Sequence, residues 1–212
     1  MNEKILLFND NYQKYDAWYE NHPYLYGSEL FLLQQLIPEP GNTVEIGVGT
    51  GRFAQSLNIK YGLEPGKNMA ELALKRGIKV DCGYAENMPY EDNRFSCALL
   101  MVTLCFVDDA VKSLQETFRI LKPGARIISG IIDLNSSMGK EYIKKNKNSL
   151  FYKKAKFYSA DEIINLYKKT GFINIKTMQN IFNNPDDMSS IDIPKHGHGQ
   201  GLFTVIYADK PN

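Results

Sequence analysis

The chain has 212 residues, 43% of them hydrophobic and 23% charged, with 25 basic and 24 acidic side chains. That apolar content supplies a full core and excludes a disordered polypeptide. The length suits one domain of ~100–200 residues with an appended cap, and a net charge of +1 excludes the broad basic footprint of many nucleic-acid binders.

Cys82, Cys97 and Cys105 have no C-x-x-C spacing and no nearby histidine. They read as free thiols in a reducing compartment, not as a zinc site. The N-terminal MNEKILLFNDNY lacks the apolar run and small-residue cleavage site of a secretory signal. No segment approaches the ~20 apolar residues that span a bilayer. A cytoplasmic protein without a membrane span is expected.

Residues 1–40 carry Phe8, Tyr12, Tyr15, Trp18, Tyr19, Tyr24, Tyr26 and Phe31, and close at Pro38-Glu39-Pro40-Gly41, a linker signal. They predict a helical cap of one or two helices over the carboxyl edge of a sheet, ahead of a domain over 41–212. Residues 43–47 form an apolar strand running into a glycine turn, and 51–58 a helix. Strand 60–64 follows, then helix 68–76 with Asn68 as its cap and Gly77 as its stop. Residues 78–81 form a third strand. Residues 97–102 are almost wholly apolar, as in a strand covered on both faces. Helix 111–121 stops at Lys122-Pro123-Gly124, and 126–132 form a fifth strand. Residues 136–158 form a Lys-, Asn- and Tyr-rich insert with room for a short helix. Helix 161–169, capped by Ser159, and strands 172–181 and 202–208 complete the chain. Alternating strands and helices imply right-handed crossovers and a doubly wound α/β sheet, mostly parallel. The last elements suggest that an antiparallel hairpin finishes it.

Glu45-Ile46-Gly47-Val48-Gly49-Thr50-Gly51 joins the first strand to the first helix of that sheet. Glycines there let a ligand approach the main chain, and the helix points free amides at it. Arg52 stands where a dinucleotide-binding turn has its third glycine, and an arginine can meet a phosphate. Glu45, however, would repel a pyrophosphate and suits a ligand with a cationic amino group, as in the methionine part of S-adenosylmethionine. Glu64, at the end of the second strand, can accept ribose hydroxyls for either nucleotide. The Gly83-to-Pro89 loop offers amides to an adenine edge, with Met69 and Met88 near its ring faces. Segment 102–106 should face the cofactor and substrate, because ligands sit beyond the carboxyl ends of strands in open α/β sheets.

Glu45-x-Gly47-x-Gly49-x-Gly51, Glu64-Pro65, Ala85-Glu86-x-Met88-Pro89 and the run Phe118 to Gly124 resemble successive motifs of class I S-adenosylmethionine-dependent methyltransferases. The similarity is to the small-molecule group related to ubiquinone/menaquinone-biosynthesis methyltransferases, and it extends over roughly residues 10 to 208. It implies a Rossmann-like, seven-stranded sheet with a reversed last strand, and S-adenosylmethionine as cofactor, leaving as S-adenosylhomocysteine. It implies Glu45, Gly47 and Gly49 at the methionine part, Glu64 with Pro65 at the ribose, Ala85, Glu86 and Met88 around adenine, and Thr103 on the methionine side. Tyr84 replaces the aspartate that many relatives place before the Ala-Glu pair, and Ala125 replaces a usual glycine.

Methyl transfer requires alignment more than a strong base, and no catalytic base is nominated. His22, Tyr24 and Tyr26 in the cap, Asp133 after the fifth strand and His198 in the last loop are substrate candidates. His196-Gly197-His198 lacks the acidic or Cys cluster of a metal site, so no metal is expected. The expected partner is a small-molecule acceptor. The alternatives are a nucleic-acid methyltransferase, supported only by Lys140, Lys144, Lys145, Lys147, Lys153, Lys154 and Lys156, and a non-catalytic binding protein. A lysine run reads first as a solvated face, and the N/D-P-P-Y type of motif is missing after the fourth strand.

Overall fold

A computed structural model of the chain describes residues 3–38 and 41–212. Glu39 and Pro40 of the linker signal lie outside the described residues. The elements run α1 (Glu3–Asp10), α2 (Tyr12–Asn21), α3 (Pro23–Gln34), β1 (Thr43–Ile46), α4 (Arg52–Ser56), β2 (Tyr61–Leu63), α5 (Lys67–Lys75) and β3 (Lys79–Asp81). They continue β4 (Phe95–Met101), α6 (Ala110–Ile120), β5 (Leu121–Ile132), α7 (Ser137–Asn146), α8 (Ala160–Thr170), β6 (Ile173–Asn180), β7 (Lys195–His196) and β8 (Phe203–Asp209), with a 3-10 turn at Tyr152–Lys154.

One sheet is ordered β3-β2-β1-β4-β5-β8-β6-β7. The first five strands in chain order are parallel, and β8 enters between β5 and β6 antiparallel to both. The reversed last strand is therefore present. The sheet has eight strands against the seven implied, because the two-residue β7 pairs with Met178 and Gln179 at the edge. Two residues leave too little periodicity to read from sequence.

Strand alternation sends side chains to two cores. Ala98, Leu100, Ile127, Ile131 and Ile206 meet Leu114 of α6 and Ile163 and Tyr167 of α8 on one face. Cys97, Leu99, Ile128, Ile132 and Val205 meet Leu32 and Leu33 of α3 and Phe53 of α4 on the other. Each fully buried Leu or Ile side chain contributes about 2 kcal/mol. Residues 3–38 thus hold three helices, not one or two, and α3 is a core helix of the sheet.

Caps fix the helix starts. Ser159 and Glu162 form a capping box at α8, as expected. Asn68 does not cap α5. It lies inside the helix, and its backbone N–H donates to Asn9 Oδ1 of α1 at 2.8 Å. The cap residue is Gly66, and α1 is thereby fastened to the amino end of α5. Asp133, at the end of β5, accepts from the amides of Asn135 and Ala160 at 3.1 and 3.2 Å, which aims the chain into α7 and α8.

Candidate active site

A cavity of about 300 Å³ opens beyond the carboxyl ends of β1, β2, β4 and β5, at the lower end of the usual ligand-site range. On the β1–β2 side its wall is Gly47, Gly49, Glu64, Pro65 and Met69. Gly47 has φ +72°, and a Cβ there would lie 2.6 Å from Thr103 Cγ2. Only glycine fits under Thr103. Thr103 lies 3.0 Å from Ile46 O through Oγ1, which pins the β4 loop onto the turn. Gly51 opens α4, and a Cβ on it would meet Ala73 at 2.9 Å. The turn is thus closed on both sides.

Glu64 ties the turn to β2. Its Oε2 accepts from Gly49 N–H at 3.0 Å and its Oε1 from Gly66 N–H at 2.8 Å. Burial nonetheless pushes its pKa up to about 7. Glu45 lies beneath the turn, 2% exposed, and burial raises its pKa well above the ordinary value. Its Oε2 has no hydrogen-bond partner among the described residues. Ala85 and Glu86 continue the wall, with Glu86 Oε1 accepting from Asp108 N–H at 2.7 Å. Met88 is in the core with Ala85, whereas Met69 reaches the cavity.

Arg52 is fully engaged. It donates to Asp16 of α2 through Nε at 2.9 Å and Nη2 at 2.7 Å, and to Glu20 at 2.7 Å. It is therefore held away from a phosphate, and the dinucleotide reading loses the residue that sustained it.

Segment 102–106 divides: Val102, Thr103 and Phe106 line the cavity, while Leu104 and Cys105 are buried behind it. Val102 has φ +52°, an uncommon strain for a β-branched residue, and such strain gathers at functional sites.

Much of the remaining wall is aromatic, with Lys4, Asp108, Asn146 and Ser149 also on it. Phe8 of α1 stacks on Phe151 with centroids 5.1 Å apart and meets Phe106 edge-on at 4.8 Å. Tyr15 and Tyr19 of α2, Tyr142 of α7 and Tyr152 of the 3-10 turn join it, as do Trp18, Tyr84 and Phe203, with Glu29 of α3 among them. The insert is thus part of the site.

The five substrate candidates lie outside this wall. His22 stacks on Trp18 and bonds its carbonyl at 2.8 Å, closing α2. Tyr24 is 44% exposed on the outer side of α3. Tyr26 donates to Arg52 O at 2.9 Å and packs on Phe53. Asp133 has the turn-forming role given above. His198 is held between Thr177 and Asp161. Among the described residues no group of three or more His, Cys, Asp or Glu could hold a metal ion.

Sequence reasoning missed Glu29. Its signal was a single carboxylate on the apolar face of a helix, in register with Leu25, Leu32 and Leu33.

Residues 44–129 match the methyltransferase domain family. A structure of a Thermotoga maritima S-adenosylmethionine-dependent methyltransferase, described as a possible histamine N-methyltransferase, is 46% identical, covers 98% of this chain and 99% of its own, and superposes with a TM-score of 0.94. An uncharacterised Methanocaldococcus jannaschii protein is 43% identical over 96% of this chain and 98% of its own. This chain is a class I S-adenosylmethionine-dependent methyltransferase. A ubiquinone/menaquinone biosynthesis C-methyltransferase of Desulfotalea psychrophila is 34% identical over 43% of this chain and 41% of its own length. The methyltransferase therefore takes S-adenosylmethionine as its methyl donor, and the acidic, glycine-cradled side of the cavity fits that cofactor. Gly47 and Gly49 leave the main chain open to the cavity, the Glu64 carboxylate borders it, and Glu45 lies behind the lining with one orphaned oxygen.

Proposed function

We propose that the methyltransferase methylates a small-molecule acceptor bound against the aromatic wall. One observation carries this: rings from α1, α2, α7 and the 3-10 turn surround a cavity of about 300 Å³, next to the glycine turn. Such a chamber suits a compact, partly apolar acceptor. When bound, S-adenosylmethionine supplies a methyl group already activated on sulfur. Gly47, Gly49 and Thr103 would hold the methionine part, with Glu45 below as its counter-charge. Glu64 and Pro65 would hold the ribose. Ala85 and Glu86 would flank adenine, supported by Met88. The rings would exclude water and orient the acceptor.

The description of the Thermotoga maritima relative agrees with a small acceptor. The lysines of 140–156 give a nucleic-acid acceptor little support: Lys145 pairs with Asp186, Lys154 with Glu3, and Lys156 lies over the Tyr158 ring. No helix among the described residues is long and apolar enough to cross a membrane. The free Cys82, Cys97 and Cys105 suit a cytoplasmic setting.

Incubating the enzyme with methyl-labelled S-adenosylmethionine and separated small-molecule, RNA, DNA and protein fractions tests the reading. Label should enter the small-molecule fraction. Label confined to a macromolecular fraction would overturn it.

A further inference from the structure

Glu29 stands on the α3 face that packs toward the sheet, one turn after Leu25 and one turn before Leu32 and Leu33. It is 8% exposed, and its side chain borders the cavity. Glu64, at the same cavity, receives two backbone amides. Among the described residues no hydrogen bond or ion pair reaches the Glu29 carboxylate, and burial alone pushes its pKa up to about 8. A carboxylate taken out of water without a partner is strongly destabilised unless a counter-charge arrives.

The groups that face it are tyrosines. Tyr15 and Tyr19 of α2, Tyr142 of α7 and Tyr152 of the 3-10 turn are raised in pKa, by burial first and by the Glu29 charge in addition. The Tyr15 and Tyr19 hydroxyls are 2.8 Å apart, and the Tyr142 and Tyr152 rings meet edge-on with centroids 6.1 Å apart. Among the described residues Glu29 has aromatic surface on several sides and no ion pair, and Lys4 in the cavity wall is engaged by Asp108. Ring faces attract a cation most strongly in a desolvated site, and a carboxylate among them adds charge of the matching sign.

We propose that Glu29 and the Tyr15, Tyr19, Tyr142 and Tyr152 rings form the acceptor subsite, and that it takes a small molecule carrying a positively charged amine. This rests on the small-molecule reading above and names the class of its acceptor. Glu29 is the counter-ion, and the rings exclude water around the pair. The competing arrangement is a protonated Glu29 that donates a hydrogen bond to a neutral acceptor.

The test is calorimetric titration of the full chain, saturated with S-adenosylhomocysteine. The probes are primary ammonium ions from ethylammonium to phenethylammonium, each beside the alcohol of the same shape, from ethanol to 2-phenylethanol. At least one ammonium ion should bind about tenfold tighter than its alcohol. Glu29→Gln, the same shape without the charge, should abolish that preference and leave the affinity for S-adenosylhomocysteine unchanged. Its thermal midpoint should equal or exceed that of the wild type, which also shows that the variant folds. Equal or tighter binding of the alcohols would overturn the proposal. So would a panel in which no ammonium ion binds, or a preference that survives in Glu29→Gln. Loss of S-adenosylhomocysteine binding in the variant would overturn it too, by assigning Glu29 to the cofactor side. Ammonium recognition in an enzyme that labels only a macromolecular fraction would sink the preceding reading and uphold the charge recognition. Methylation restricted to neutral small molecules would do the reverse.

Discussion

Asp16 of α2 grips Arg52, the first residue of α4, through two hydrogen bonds of 2.9 and 2.7 Å. The same carboxylate takes two more from Arg76 at the end of α5, at 2.8 and 2.9 Å. Burial alone would raise the Asp16 pKa, but the two guanidinium groups hold it well below the carboxylate range. One side chain thus locks the N-terminal helices to both helices that frame the glycine turn. Asp16→Ala strips two largely buried guanidinium groups of the carboxylate they share, leaving Arg52 only Glu20 and Arg76 only the Thr50 carbonyl. The expected loss is roughly 3 kcal/mol, seen as a melting midpoint lower by about 6–12 °C for a chain of this size. An unchanged midpoint would show that the lock carries no stability.

Gly47→Ala should damage the glycine turn directly. Its Cβ would sit 2.6 Å from Thr103 Cγ2, and its φ of +72° is unfavourable for alanine. A loss of about 1–3 kcal/mol in stability is expected. A marked fall in S-adenosylhomocysteine affinity should accompany it in calorimetry. Wild-type affinity would mean that the turn does not contact the cofactor.

Glu64→Ala removes the acceptor of the Gly49 and Gly66 amides and the carboxylate assigned to the ribose. Hydrogen bonds to a charged group are worth about 1.5–3 kcal/mol. The S-adenosylhomocysteine dissociation constant should therefore rise by roughly 10- to 100-fold.

Asp133→Ala separates structure from binding. It deletes the acceptor for the Asn135 and Ala160 amides outside the cavity wall. Urea unfolding should show a loss of about 1–3 kcal/mol, while the affinity for S-adenosylhomocysteine stays at the wild-type value. A specific loss of affinity would return Asp133 to the site.

The ligand-free enzyme should be less stable at alkaline than at mildly acidic pH. Folded Glu64 and Glu29 keep their protons up to pH about 7 and about 8, whereas unfolded glutamates release them near pH ~4.3. Across that window the folded state binds more protons, so stability falls as pH rises. Buried Glu45 acts in the same direction. Asp16, with its lowered pKa, acts in the opposite one, losing its contribution only in strong acid. The urea midpoint should decline from pH ~5 to ~8.5, and Glu29→Gln should flatten the upper part of that decline. A rise across this window would contradict the burial of these carboxylates.

The amino-acid sequence by itself determined the alternation of strands and helices, the Glu45-to-Gly51 turn, Glu64 and the capped start at Ser159. Each of these is a local pattern: an apolar period, a glycine spacing or a capping residue within a few positions of what it acts on. It also determined the family, since four motifs in order define where a shared cofactor lies along the sheet. Tertiary structure alone decided which cap residues face the cavity. Tyr15 and Tyr19 line the cavity while Tyr24 and Tyr26 do not, because the tilt of α2 and α3 against the sheet sets that choice, not aromatic content. It decided that Arg52 belongs to Asp16, 36 residues earlier, and that Asp133 holds a turn. It placed Glu29 of α3 beside Tyr142 and Tyr152, more than 100 residues further along the chain. No short-range pattern encodes such a meeting, because it depends on how the N-terminal helices and the insert pack over the same end of the sheet.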